Sequence, residues 1–399
     1  MRISTLTIYN QNTQAMNRQQ ADFMKVGQQI ASGKRVVNIS DDPQAMAQAL
    51  NVGQSKAVTQ QYTDARIGVR NALGQEESVL NSVSDIYSRA KTLMVQASNG
   101  TLSDGDRDAV ASEMRGLYES LVGLGNSRDG NGLYLFGGYE DGSAPFIRNP
   151  DETVQFVGST DVRQQRIDGD RTMPIGHSAD DVFRSVRGGT NYLAAAAATN
   201  QGSLTYSSVN VIDSTDPNYG DTFTVDFGGT AAAPTYSING GAAVAYTDPT
   251  DLQVGGLQIE LTGAPEPGDQ VTISPAAAGN TDVFRTFEKA IAALEAPLDT
   301  PQAGAALRNT LNTVMNEFDN SMDNVLTVRA EVGARLNELD TLETIASNRM
   351  LAYEQTLSSL VDLDYVEAAS EYSMRMVGLQ AAQKAFVDMK DLSLFNMLR

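Results

Sequence analysis

The stretch IYNQNTQAMNRQQADFMKVGQQIASGKRVVNISDDP, residues 8–43, sets the reading of the whole chain. Tyr9, Met16, Phe23 and Ile30 recur every seven residues, with mostly polar residues between them. An apolar stripe this narrow is the seam of a coiled coil rather than the broad face of a globular helix. Ser32-Gly33-Lys34 then supplies a stop, since glycine adopts the left-handed turn that ends helices. Asp41-Asp42-Pro43 starts the next helix, with an aspartate cap and a proline in its first turn. A helix with so little apolar surface is marginal alone and becomes ordered when it finds partners.

Outward from this stretch the helical signal continues. Leu73, Leu80, Tyr87 and Met94 repeat every seven, with Val69, Val83, Ala90 and Ala97 on a companion row. Pro43–Ser98 would be about 80 Å long as one unbroken helix, at ~1.5 Å per residue. Ser103-Asp104-Gly105-Asp106 caps a third helix carrying Val110, Met114, Leu117, Leu121 and Leu124. Gly130–Gly138 reads as a strand between glycine turns. The C-terminal flank mirrors the first. Val283, Phe287, Ile291 and Leu294 fit a short helix, and Thr300-Pro301 opens a long one with Leu307, Leu311, Val314, Phe318, Val325, Val332, Leu336, Leu339 and Leu342. Asp364 and Glu367 form a cap-and-N3 pair for a last helix, in which Ala369, Tyr372, Met376, Leu379 and Phe386 sit on 3–4 spacing.

Between the flanks the composition changes. Residues 150–280 hold 16 of the 34 glycines and 8 of the 12 prolines. They contain no lysine, and 5 arginines stand against 16 acidic residues, which supplies −11 of the net charge of −20. Short alternating runs (Thr153–Val157, Thr205–Ile212, Thr222–Phe227, Thr235–Ile238, Leu257–Leu261, Gln270–Ile273) are separated by turn residues, the pattern of a small all-β domain. Ala194–Ala198 fits no element. The chain therefore reads as mainly α with a β insert (α+β). It has terminal coiled-coil helices, an elongated helical bundle with a β-hairpin, and an inserted outer all-β domain. The segments are 1–40 with 360–399 for assembly, 41–149 with 281–359 for the rod, and 150–280 for the acidic outer domain.

Composition also excludes chemistry. The 399 residues include no cysteine, so no disulfide, thiol nucleophile or cysteine–metal site exists. A single histidine, His177, excludes histidine-rich metal sites, and its loop-like setting favours a solvated or structural residue over a catalytic base. The acidic balance opposes binding to nucleic acid and to anionic membranes. The N-terminus lacks the apolar core of a signal peptide, and no run reaches the ~18 apolar residues of a membrane span. Ser32-Gly33-Lys34-Arg35 lacks the frame of a phosphate loop, and Gly137-Gly138 is followed by no helix that could bind a dinucleotide. Asp41-Asp42 reads as a cap rather than a metal or acid pair. No cofactor and no catalytic residue are expected.

Several strings resemble bacterial flagellins. Gln29-Ile30-Ala31-Ser32-Gly33-Lys34-Arg35-Val36 with Asp41-Asp42-Pro43 is similar to the family's N-terminal signature. Arg329-Ala330-Glu331-Val332-Gly333-Ala334-Arg335-Leu336-Asn337, Asp364–Ser370, Leu379–Ala385 and Leu392–Phe395 resemble its C-terminal helices. Met1–Thr5 and Leu133-Tyr134-Leu135-Phe136-Gly137-Gly138 favour the hook–filament junction branch. The resemblance covers about 1–145 and 281–399. It implies a structural subunit whose partners are copies of itself in a ring, hook-associated protein 1 on the hook side and flagellin on the filament side. It also implies a cytoplasmic export chaperone at the C-terminal helix, and export without a cleaved signal peptide to an extracellular place in the flagellum. The expected assembly interface is Tyr9, Met16, Phe23 and Ile30 from one end with Ala369, Tyr372, Met376, Leu379 and Phe386 from the other. Two other structural readings stay open: a flagellin filament subunit, and a surface adhesin whose outer-domain aromatics Tyr206, Tyr219, Phe223, Phe227, Tyr236 and Tyr246 stack on sugars. An acid-pair hydrolase in the outer domain is the enzymatic alternative.

Overall fold

A computed structural model describes the backbone of residues 5–99, 102–186, 191–230 and 232–397, and their side chains except at 5–6, 8–9 and 389–397. Six α-helices account for the flanks: α1 (Thr5–Ser32), α2 (Pro43–Ala97), α3 (Asp104–Gly125), α4 (Val283–Glu295), α5 (Pro301–Val361) and α6 (Tyr365–Met397). Their ends follow local chemistry. Asp42 Oδ1 accepts from the Ala45 N–H at 3.0 Å and opens α2. Ser103 and Asp106 exchange side-chain and backbone bonds in a full capping box at the start of α3. Asp364 Oδ1 takes the N–H groups of Val366 and Glu367 at 2.9 and 3.2 Å. No helix among the described residues is long and apolar enough to cross a membrane.

The contacts divide the chain into two units, 1–64 with 341–399 and 65–340. The second holds the dry core. Leu73, Leu80, Tyr87 and Met94 of α2 are completely buried, as are Val314, Phe318, Val325 and Val332 of α5. One chain of touching aromatic rings links its elements: Tyr87 to Phe318, Phe318 to Phe287, Phe287 to Tyr118, Tyr118 to Phe284. It continues from Phe284 to Phe146 at 4.6 Å, then to Phe183 and Phe136. Edge-on pairs such as Phe287–Phe318 and Phe136–Phe183 add to the burial of the rings themselves.

Two hairpins, β1 (Phe146–Arg148) with β2 (Val154–Phe156) and β3 (Gln164–Asp168) with β4 (Arg171–Pro174), lie against this bundle. Arg66 of α2 donates to the Ile167 carbonyl at 2.9 Å, and Arg171 pairs with Glu338 of α5 at 2.6 Å. The remaining strands are β5 (Tyr192–Ala196), β6 (Thr205–Tyr206), β7 (Asn210–Val211), β8 (Phe223–Thr230), β9 (Ala233–Ile238), β10 (Val244–Ala245), β11 (Thr250–Val254), β12 (Leu257–Thr262) and β13 (Gln270–Pro275). They form a five-stranded sheet in the order β10-β9-β8-β13-β5 and a second sheet of β11-β12-β6, with β7 also on β12. All described pairings are antiparallel. Phe223, Val225, Phe227, Leu257, Ile259, Leu261, Val271 and Ile273 fill the space between the sheets.

Two local expectations are corrected. Gly130–Gly138 is a turn, not a strand. Asp129 Oδ1 accepts from the N–H groups of Asn131 and Leu133 at 2.8 and 2.9 Å, which folds the segment back after a single bridge between Arg128 and Tyr134. Gly138 closes it at φ +61°, where a β-carbon would stand 2.3 Å from the Asp161 carbonyl oxygen. Of the unplaced alanines 194–198, the first three belong to β5, where Ala194, Ala195 and Ala196 pair with Ile273, Thr272 and Val271. The outer edge of β5 is closed by side chains: the Ala196 N–H donates to the Tyr206 hydroxyl and the Thr313 hydroxyl donates to the Ala194 carbonyl.

A row of asparagines on α5 docks the sandwich. Asn309 accepts from the Tyr206 N–H at 3.2 Å and donates to the Leu204 carbonyl at 2.8 Å. Asn312 donates to the Tyr206 carbonyl, Asn320 accepts from Asn191, and Asn324 donates to the Asp181 carbonyl. Leu204 and Tyr206 lie beside and on β6, whereas Asp181 belongs to a helical turn at 180–184.

Candidate assembly surface

Residues 5–32 and 365–397 come together as an antiparallel pair. Gln19 lies beside Gly378, Asp22 beside Arg375 and Gly33 beside Tyr365. The pairing is centred on Phe23 and Tyr372, whose ring centroids are 4.7 Å apart. Gly27 lets the two helices approach, since a β-carbon there would be only 3.7 Å from the Tyr372 ring. Asp22 and Arg375 are joined at 2.9 Å across the seam, and Glu371 also holds the guanidinium.

The joint at the head of the pair explains the string Gln29–Pro43. Gly33 sits at φ +68°, with the Tyr365 hydroxyl 2.9 Å from where a β-carbon would be. Gln29 donates to the Arg35 carbonyl at 2.6 Å, and the Gly33 carbonyl accepts from the Leu363 N–H at 3.0 Å. The Arg35 N–H donates to the Val361 carbonyl at 2.8 Å and its guanidinium to the Leu360 carbonyl at 2.6 Å. The Asn38 N–H and Lys25 hold the Asp41 carboxyl below the usual aspartate range, and the Ala45 N–H with Arg35 does the same for Asp42. This pair is a cap and a clasp. Among the described residues no group of three or more histidines or carboxylates is placed to hold a metal ion.

The expected interface residues fall into three sets. Met16, Phe23 and Ile30 of α1 and Tyr372, Leu379 and Phe386 of α6 are half-buried. Ala369 and Met376 are exposed, one position off the row that faces α1. The side chain of Tyr9 lies outside the described residues. The facing row of α6 is Ala368, Tyr372, Arg375, Leu379, Ala382 and Phe386, at 4-3-4-3-4 spacing. Arg375 puts a charge in the middle of this row, and its complement Asp22 on α1 is the sequence signal for it. Among the described side chains of the pair, only Val26 and Ala368 are buried. Away from the seam α6 presents Val366, Met374, Val377 and Val387, each more than half exposed, and α1 presents Met24. These are large apolar side chains that the pair leaves to solvent among the described residues.

The remaining candidates dissolve into structure. His177 is structural rather than solvated. It is 7% exposed and held by Glu76 at 2.7 Å and Glu331 at 3.2 Å. Of the outer-domain aromatics, Tyr206, Phe223, Phe227 and Tyr246 are buried in the sandwich core, and Tyr219 and Tyr236 pack against it.

Two terminal helices in antiparallel register, with a helical bundle and a β insert between them in the sequence, define a flagellin-like structural protein. The model of the bacterial flagellin N-terminal helical region matches residues 3–141. The chain belongs to the family of flagellar hook-associated protein 3, a structural component of the bacterial flagellum. It is 35% identical to that protein of Escherichia coli over 100% of this chain and 99% of the relative, and 32% identical to that of Salmonella typhimurium over 100% of both. The crystal structure of Xanthomonas campestris FlgL superposes with a TM-score of 0.69 at 31% identity, covering 77% of this chain and 99% of that one. Flagellin is a more distant match: that of Salmonella montevideo is 26% identical over 50% of this chain and 39% of its own length.

Proposed function

We propose that this chain forms the junction ring between hook and filament and has no catalytic role. The observation that carries the reading is the full-length similarity to hook-associated protein 3, set beside a partial one to flagellin. The terminal pair supplies the assembly surface. Neighbouring copies cover the apolar faces that a single pair leaves wet, and at ~25 cal/mol per Å² a few such side chains contribute several kcal/mol per contact before ordering costs. The contacts are heterologous, because head-to-tail patches build helical arrays. Hook-associated protein 1 lies on one side of the ring and flagellin on the other. The chain leaves the cell unfolded, without a cleaved signal, and an export chaperone holds its C-terminal helix beforehand.

The test is substitution in the seam. Phe23→Asp and Leu379→Asp each leave the β sandwich folded and abolish ring formation, scored by swimming motility and by filaments seen in electron micrographs. Motile cells with intact filaments overturn the seam assignment. A flagellin role predicts instead that the purified chain elongates into long filaments on its own seeds.

A further inference from the structure

His177 is the only histidine in the chain, and it is bracketed by carboxylates on both ring nitrogens. Nδ1 is 2.7 Å from Glu76 Oε1 on α2, and Nε2 is 3.2 Å from Glu331 Oε2 on α5. The His177 N–H also donates to Glu76 Oε1 at 3.1 Å. Arg335 donates to the Gly176 carbonyl at 3.2 Å and contacts Glu331 Oε2 at 3.4 Å. Gly176 is pressed on α2, since a β-carbon there would lie 3.1 Å from Glu76 Oε2. A two-residue segment just after β4 is thus tied to two long helices through one imidazole.

A neutral imidazole has one N–H and one bare nitrogen, whereas ionised carboxylates only accept. A neutral ring would turn its lone pair toward one of the two glutamates. Only the imidazolium donates to both. We propose that His177 is a proton-operated latch: the protonated ring fastens the Gly176–His177 segment to α2 and α5, and loss of the proton releases it from one of them.

The surroundings support the charged form. Burial pulls the imidazole pKa down, but the hydrogen bond and charge of Glu76 and the bond to Glu331 outweigh burial and the opposing Arg335, so the pKa stands above the usual 6.5. The other charged groups nearby are already engaged. Glu77 of α2 pairs with Arg329 of α5 at 2.8 Å, Asp181 accepts from the Ser178 hydroxyl at 2.7 Å, and Asp129 is bonded within its own turn. Arg163 pairs with Asp141 at 2.6 Å. A cleft of about 760 Å³ bordered by Tyr139, Asp181, Glu331 and Arg335 gives the ring a route for proton exchange with water. Because the folded-state pKa is raised, the latch's stabilisation is complete below the unfolded value and is lost as pH climbs through the folded one.

A sole histidine gives a single imidazole signal. In the full chain labelled with ¹⁵N-histidine, both nitrogens are expected to be protonated at about pH 6, with a titration midpoint above that of the same chain in urea. Glu76→Gln lowers the midpoint. The Tm of the wild type exceeds that of His177→Gln at about pH 6, and the gap closes as pH passes the midpoint. A neutral ring at about pH 6, or Tm curves that run parallel with pH, overturns the latch. The wild-type titration decides the matter even if either variant fails to fold.

Discussion

The middle and the ends of this chain carry the same seven-residue repeat and treat it in opposite ways. Leu73, Leu80, Tyr87 and Met94 are sealed within their unit, while Met16, Phe23 and Ile30 are only half-buried and α6 exposes a further apolar face. The middle row is enclosed within its own unit, where Tyr87 meets Phe318 of α5. Among the described residues the terminal helices pair chiefly with each other, and two helices side by side close one seam. The repeat therefore announces that a partner exists without saying whether it lies in the same chain. In the proposed reading, the apolar positions that the terminal pair leaves open are covered by copies or neighbours.

This contrast can be broken by substitution. Leu80→Ala, at a site with no exposure, removes a fully enclosed side chain and is expected to cost about 3–5 kcal/mol, read as a lower urea midpoint for the middle unit. A loss below about 1 kcal/mol would mean the middle row is not sealed. Asn309→Leu strands the Tyr206 N–H and the Leu204 carbonyl, with an expected loss of about 1–3 kcal/mol measured by the same denaturation. A neutral result would show that apolar contact alone can dock the sandwich. Arg375→Ala removes a half-exposed pair with Asp22 and should shift the stability of the terminal unit by less than about 1 kcal/mol, visible only as a small change in helical signal by circular dichroism. A larger loss would assign the terminal pair to self-sufficient structure and weaken the case for assembly.

Much of the fold was legible because its signals are short-range. Gly33, Asp42-Pro43, Ser103–Asp106 and Asp364 end or begin helices through atoms no more than a few residues away. The alternating runs marked β2, β6–β9, β12 and β13. The pairing of α1 with α6 was partly legible: Phe23, Tyr372, Leu379 and Phe386 lie on the contacting rows, but the register placed Ala369 and Met376 beside the seam. One arginine made the difference, and its role depends on an aspartate more than 300 residues away.

By itself, the sequence determined where helices start and stop, which rows are apolar, where the β insert lies and that thiol and multi-histidine chemistry are absent. Caps, periodicity and composition act locally, so they can be read without a partner. Only the tertiary structure decided that alanines 194–196 form a strand, that Gly130–Gly138 turns back instead of extending, and which face of α6 meets α1. It also decided that a lone loop histidine is buried between two glutamates and that an asparagine row on α5 serves backbone groups of the sandwich. Each of these depends on what a distant segment brings to the site. An alanine has no strong preference for a strand, and a histidine none for burial, until a neighbour supplies the missing hydrogen bonds or charge.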